Sequence, residues 1–169
     1  SAPDGRLDVA QFLAALRPES VHCPRTALLC LEQTFMGDGS GPGGRVVPLA
    51  HLERLASAAR ERRLAVHLDG ARLPNAVVAA GIPAVRWARC ADSVMTSLSK
   101  GLGAPVGSLL AGPADLIDAA RQERSRLGGG MRQTGILAAA GIVALTANVH
   151  RLADDHARAF HRRARLESS

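Results

Sequence analysis

Leu64-Ala65-Val66-His67-Leu68-Asp69-Gly70-Ala71-Arg72 is the stretch that decides the fold. Its apolar beginning follows an amphipathic helical pattern over residues 48–63, and a short apolar run in that position is typical of a buried strand. The same kind of run recurs on both sides of this stretch. Residues 26–31, 92–98 and 106–111 also predict strands, so four strands are expected along the chain.

Helical patterns lie between and after these strands. Apolar residues at helical spacing, with Pro near several starts, predict helices over residues 8–16, 48–63, 74–80, 83–90, 113–126 and 132–164. Strands that alternate with helices indicate βαβ units and a mostly parallel sheet. We therefore predict one α/β domain over residues 1–169, with its sheet core at about 21–112 and helices at about 113–165. We expect this domain to be incomplete at both ends, because the last charged helix simply stops.

Composition narrows the class of ligand. Hydrophobic residues make up 47% of the chain, which excludes a disordered protein, and aromatic residues make up only 2%. The core must therefore consist of Leu, Val, Ala and Ile. The net charge of +6 would suit an anionic partner, but nucleic-acid bases would find few aromatic side chains to stack on. We expect small anionic molecules rather than nucleic acid.

Cysteine usage and hydropathy bear on the compartment. Cys23, Cys30 and Cys90 form an odd set without C-x-x-C spacing, which predicts reduced thiols, mostly buried, in a cell interior. No run approaches the ~18 apolar residues of a membrane span, and no signal peptide opens the chain. We expect an intracellular protein, cytoplasmic rather than mitochondrial, with no membrane partner. Because the chain starts at Ser1 rather than Met, we expect a fragment or a processed product.

Lys100 is the single lysine among the 21 Lys and Arg residues. A guanidinium stays protonated and is a poor nucleophile, whereas an ε-amine can lose its proton when desolvated and form a Schiff base with a carbonyl. Lys100 stands between a predicted strand and a Gly-rich loop, so it is a candidate for amine chemistry. The alternative is that an Arg-biased composition left one lysine by chance.

Two polar groups are predicted to meet Lys100 at one edge of the sheet. Ligands of open α/β sheets bind beyond the carboxyl ends of the strands, and Asp69 and Lys100 both follow such ends. Arg72 comes three residues after Asp69. A Schiff-base lysine near a buried aspartate suggests pyridoxal phosphate, whose ring nitrogen needs a carboxylate to stay protonated. The alternative for Asp69 is a turn or helix N-cap aspartate paired with Arg72.

Longer motifs around these residues resemble a known family. His67–Arg72, Ser97–Ser108 and Gly128–Gly135, in this order and spacing, are similar to the motifs of low-specificity L-threonine aldolases, which are fold-type-I pyridoxal phosphate lyases. The likeness runs from about residue 21 to residue 156. It implies that the chain is part of the pyridoxal phosphate-binding large domain of such an enzyme.

The resemblance also implies roles for matching positions. Lys100 would hold the cofactor, Asp69 would pair with its pyridine nitrogen, and Arg72 would donate to its ring hydroxyl side, close to the substrate carboxylate. His22 matches a histidine near the substrate hydroxyl, and Arg132 matches an arginine that helps to build the site, either within one subunit or across a subunit interface. The implied reaction is retro-aldol cleavage of a β-hydroxy-α-amino acid, such as threonine, to glycine and an aldehyde in a dimer or tetramer. A structural role for His22, with a substrate phosphate or an ordered water as base, is an equal alternative.

Several family features are missing or changed. The phosphate-binding Gly-Thr turn, the histidine that stacks on the ring and the C-terminal domain have no counterpart in this chain. Gln33 and Phe35 replace the usual Asn and His after the first strand, and Ser125 stands where a lysine is expected. The chain could therefore also be an inactive relative serving as a binding module, or another fold-type-I enzyme such as an aminotransferase or β-eliminating lyase.

The last predicted helix carries three histidines beside two aspartates. His150, His156 and His161 are six and five residues apart, so they do not share one helical face as metal ligands would. The spacing predicts a solvated helix, and no metal site is expected.

Overall fold

The computed structural model describes residues 7–18, 20–37 and 44–167. Its helices and strands are, in chain order, α1 Val9–Ala14, β1 Leu28–Glu32, α2 Leu49–Glu61, β2 Ala65–Asp69, α3 Leu73–Ala80, α4 Ala84–Ala88, β3 Ser93–Ser97, β4 Ser108–Ala111, α5 Ala114–Arg126, α6 Gly135–Val143 and α7 Leu152–Glu167. A π-helical segment, Ala144–Asn148, continues α6. The four predicted strands are confirmed, and the long C-terminal pattern is two helices joined by this segment. The Gly-rich stretch 37–44 lies largely outside the described residues.

The sheet has the order β1-β2-β3-β4. β1, β2 and β3 are parallel, and β4 pairs with β3 in the antiparallel direction. The mostly parallel sheet predicted from the sequence is therefore confirmed. The connection 98–107 between β3 and β4 holds no helix, and a parallel return would need a longer crossover. As a result, the carboxyl ends of β1, β2 and β3 share one edge of the sheet.

The main core lies between one sheet face and α2. Leu29 and Leu31 of β1 and Val66 and Leu68 of β2 alternate with exposed or half-buried residues, as expected for a pleated strand with one buried face. Trp87 is fully buried, and its indole N–H donates to the Ile82 carbonyl at 3.2 Å. The rest of the core is mainly Leu, Val and Ala, as the composition required: Phe12, Val47, Leu49, Leu52, Leu55, Ala56, Ala58, Ala59, Leu64, Leu73, Ala76 and Cys90.

A smaller apolar cluster fixes the connection between β3 and β4. Leu98, Leu102 and Ala104 of this connection are buried against Ala144 of the π-helical segment and Leu152 of α7. Burial of side chains on both sides of residue 100 holds the connection against the C-terminal helices. This cluster therefore fixes the backbone that carries Lys100.

The cysteines differ from expectation in their burial. All three are free thiols, but Cys23 and Cys30 are exposed, so the expectation of mostly buried thiols is wrong for these two. Cys30 belongs to the β1 face opposite the core, whose residues are exposed in the part of the chain that the structure describes. Cys90 is buried, and burial, together with the negative charge of Glu53, raises the pKa of its thiol.

Membrane-spanning potential is confined to one bent helix pair. Among the described residues no single helix has the length and apolar character to cross a bilayer. Gly135–Asn148 and Leu152–Arg162, which are bent by 69°, satisfy the length and composition criteria only when taken together.

Gln33, one of the changed family positions, is a buried brace. Its side-chain amide donates to the Val47 carbonyl at 2.9 Å, and its oxygen accepts from the Val47 N–H at 3.0 Å. The residue is fully buried. The side chain therefore joins the end of β1 to the chain just before α2, and it satisfies two backbone groups that water does not reach.

We expect Gln33→Asn to destabilise the protein by about 2–3 kcal/mol, because the shorter side chain leaves buried Val47 groups without partners. Urea unfolding followed by circular dichroism would measure the change. Ser57→Ala on the exposed side of α2 is the control and should change the free energy of unfolding by less than about 0.5 kcal/mol. Equal stability of Gln33→Asn and the unmodified protein would refute the bracing role.

Candidate functional site

The predicted site residues Asp69 and Lys100 lie at or just after the ends of two adjacent strands. Asp69 is the last residue of β2 and pairs in register with Met95 of β3 and Glu32 of β1. Lys100 follows the end of β3 by three residues. Because β2 and β3 are adjacent and parallel, the carboxylate and the amine follow neighbouring ends at the same edge.

Asp69 keeps one carboxylate oxygen available. Its Oδ1 accepts from the Ala71 N–H at 3.0 Å, which forms a tight turn after β2. The side chain is half-buried, and its other oxygen has no partner among the described residues. Asp69 is therefore a turn aspartate, as one of the alternatives for this residue expected. It is not a helix N-cap, because the N-cap residue of α3 is Arg72.

Arg72 is half-buried at the start of α3 and is not paired with Asp69 in the part of the chain that the structure describes. The turn that carries it is pressed against β3 at Gly70, whose N–H donates to the Met95 carbonyl at 2.8 Å. A Cβ at Gly70 would lie 2.6 Å from that carbonyl oxygen, so the approach requires glycine. Close packing of this turn on β3 therefore fixes the backbone positions from which the side chains of Asp69 and Arg72 extend.

Lys100 lies at the exposed tip of a tight turn. The Gly103 N–H donates to the Lys100 carbonyl at 2.9 Å, and the Ala104 N–H donates to the Leu98 carbonyl at 2.9 Å. Leu98 and Leu102 on either side are 7% and 2% exposed, whereas Lys100 itself is exposed. The described residues fix the backbone of the lysine, but they do not desolvate its amine.

A second polar pair lies beside Asp69 on the same sheet face. His67 precedes Asp69 by two residues on β2, and its Nδ1 is 2.8 Å from the Ser93 hydroxyl of β3. This pair ties β2 to β3 one step behind the carboxylate. The site thus offers a primary amine, an anion that can hold a proton and a cation that can bind a carboxylate or a phenolate.

A family model described as Beta-eliminating lyase matches residues 1–169. The chain belongs to the beta-eliminating lyase family. It is 47% identical over 156 residues to the low specificity L-threonine aldolase of Escherichia coli K12, covering 92% of this chain and 45% of that protein. It is 43% identical over 158 residues to the low-specificity L-threonine aldolase 1 of Arabidopsis thaliana, covering 92% and 43%. The chain thus spans less than half the length of these curated relatives.

The fold has a matching solved structure within this class of proteins. The threonine aldolase of Leishmania major has a TM-score of 0.81 to this chain at 23% identity, over 99% of this chain and 48% of its own. At this identity the similarity concerns the fold. The α/β architecture with a mostly parallel sheet, predicted from the sequence, is therefore shared with the matching part of this relative.

His22 and Arg132 lie apart from the other predicted site residues of this family member. His22 is exposed in the loop before β1, and its backbone N–H donates to the Ser20 hydroxyl at 3.2 Å. Arg132 is exposed in the connection between α5 and α6, next to Gln133, whose φ is 51°. Neither side chain contacts Asp69 or Lys100 within the described ranges, so their roles stay predictions.

Ser125, another of the changed family positions, bonds within α5. Its hydroxyl donates to the Arg121 carbonyl at 3.1 Å along the exposed α5. The hydroxyl therefore bonds to the carbonyl four residues earlier in its own helix, as Ser commonly does in helix interiors.

Sequence reasoning missed three polar residues that surround the Lys100 turn. The Asn148 side-chain amide donates to the Leu102 carbonyl at 2.7 Å, and the Asn75 Nδ2 lies 3.2 Å from His156 Nε2. His156 is half-buried rather than solvated, which corrects the expectation for this position of the last helix. These contacts join residues 46 and 81 positions apart, and no local pattern signals them.

Proposed function

We propose that this chain is the lysine-bearing part of a pyridoxal phosphate-dependent L-threonine aldolase. The reaction would cleave L-threonine or L-allo-threonine to glycine and acetaldehyde. The observation that carries the proposal is the placement of Lys100 and Asp69 after adjacent parallel strands. The identity of 47% to a low specificity L-threonine aldolase supports the same reaction class.

The residues present fit this cofactor. Lys100 offers an exposed amine on a fixed turn, and Asp69 offers a half-buried carboxylate whose second oxygen is free among the described residues. When bound, pyridoxal phosphate supplies an aldehyde for amines and a protonated ring that accepts the electron pair released at Cα. Lys100, Asp69 and Arg72 would hold it, with Arg132 contributing from its own loop.

Each side chain then has a defined task. Asp69 holds the proton on the ring nitrogen, because a carboxylate at that point favours the protonated form. Arg72 would bind the cofactor and the substrate carboxylate through its guanidinium. Lys100 would hold the cofactor covalently through its ε-amine, a type of group that the amino-acid substrate also carries. His22 takes the proton from the substrate β-hydroxyl, since imidazole is an effective general base near neutral pH.

His22 can perform that task only if a further contact brings it to the site. In this chain it precedes β1, whereas Lys100 and Asp69 follow the opposite ends of their strands. We propose a homo-oligomer, dimer or tetramer, in which parts of another subunit complete the site. We also propose an intracellular, cytoplasmic location.

The products decide among the candidate reactions. Purified full-length protein with added pyridoxal phosphate should convert L-threonine to equal amounts of glycine and acetaldehyde, measured by amino-acid analysis and alcohol dehydrogenase coupling. Release of 2-oxobutyrate and ammonia would instead establish an eliminating lyase. A keto acid that forms without ammonia, and only with an added 2-oxo acid as amino-group acceptor, would establish an aminotransferase. A well-folded protein that forms none of these products would establish an inactive relative.

A further inference from the structure

The turn that carries Lys100 is attached to the C-terminal helices by one specific hydrogen bond. The Asn148 Nδ2 donates to the Leu102 carbonyl at 2.7 Å, and Asn148 is half-buried at the last position of the π-helical segment. Leu102 is two residues from Lys100, and its side chain is 2% exposed. The bond therefore links the backbone beside the lysine directly to the junction between α6 and α7.

Close packing next to this bond leaves the turn little freedom. A Cβ at Gly101 would lie 2.8 Å from Leu152 Cδ2 and 3.2 Å from Asn75 Oδ1, so the glycine backbone sits directly on these side chains. Asn75 in turn meets His156 of α7 at 3.2 Å. Gly101, the residue directly after Lys100, is thus held by α3 and by the start of α7.

This arrangement differs from a general contribution to the core. The apolar contacts of Leu98 and Leu102 are non-directional and tolerate sliding, whereas the Asn148 bond fixes one carbonyl at one distance. An amine that must meet a carbonyl carbon needs its backbone held to within a fraction of an ångström.

We propose that Asn148 is a positioning residue for Lys100. It acts through the Leu102 carbonyl and sets the orientation of the turn from which the amine reaches the cofactor. The inference rests on the proposed function in one respect, namely that Lys100 carries the cofactor.

The test uses the full-length protein with Asn148→Leu, which keeps the size of the side chain and removes the donor. Thr146→Val is the matched control, because the Thr146 hydroxyl bonds only to the Ile142 carbonyl of its own helix, at 2.8 Å. Hydrogen exchange of the cofactor-free protein should show amides 98–104 exchanging about five- to tenfold faster in Asn148→Leu, the loss of one hydrogen bond. Amides of β1 and β2 should keep their rates in both variants.

A second measurement follows the attachment of pyridoxal phosphate to Lys100, quenched with borohydride at successive times and located by peptide mass spectrometry. Attachment should slow by a similar factor in Asn148→Leu and stay unchanged in Thr146→Val. Should Asn148→Leu not fold, Asn148→Ala serves the same comparison. Unchanged exchange and unchanged attachment would overturn the positioning role. Failure of the unmodified protein to attach the cofactor at Lys100 would refute the proposed function, while the exchange result would still decide whether Asn148 holds the turn.

Discussion

Replacing Lys100 by arginine is expected to abolish covalent attachment of pyridoxal phosphate and to lower threonine cleavage by about 10³-fold or more. The substitution keeps the positive charge and much of the side-chain length, so the turn anchored by Leu98 and Leu102 should persist. A guanidinium stays protonated and does not form an imine. The expected loss is therefore chemical and not structural.

The measurement is visible absorbance of the full-length protein with pyridoxal phosphate, followed by borohydride reduction and peptide mapping. Arg151→Lys in the Lys100→Arg background is the matched control, since it returns a lysine to an exposed position close to α7. Attachment and activity should not return in this double variant. Attachment retained by Lys100→Arg would contradict the assignment of the lysine.

Local patterns were sufficient to predict the part of the site that depends on strand order. The apolar runs that end at Leu68 and Leu98 are each followed closely by a glycine, Gly70 and Gly101, which marks the end of a strand. Parallel pairing then determines that the residues after both runs share one edge. The sequence could therefore predict that Asp69 and Lys100 follow strand ends at the same edge of the sheet, because neither step requires knowledge of a long-range contact.

Contacts between distant segments were not predictable in this way. Asn75, Asn148 and His156 look like ordinary helical polar residues in the sequence, and their partners lie far along the chain. The π-helical segment likewise has no local signal, and its Ala144 is buried in the same cluster as Leu98, Leu102 and Leu152. Such features follow from tertiary packing, which overrides local propensity.

Exposure was the property least accessible from the sequence. The face of β1 and β2 that carries Cys30, Ala65 and half-buried His67 alternates correctly with the core face, but the pattern alone does not say what covers it. Among the described residues that face is open, and Leu28 is 49% exposed. The alternation along the strands could therefore be predicted from the sequence, whereas the neighbours of this face could not.

Asp69→Asn is expected to lower threonine cleavage by about 10²–10⁴-fold while leaving the fold intact. An asparagine Oδ1 can still accept from the Ala71 N–H, so the turn after β2 keeps its hydrogen bond. What disappears is the negative charge that favours a protonated ring nitrogen, and with it the means of accepting electrons from Cα. Steady-state kinetics with L-threonine, together with the pH dependence of the cofactor's absorbance, would measure this. Asp118→Asn is the control: its carboxylate forms an exposed ion pair with Arg121, and its neutralisation should have little effect. Full activity of Asp69→Asn would show that the carboxylate only shapes the turn, and the task of keeping the ring nitrogen protonated would then have to be assigned to another group.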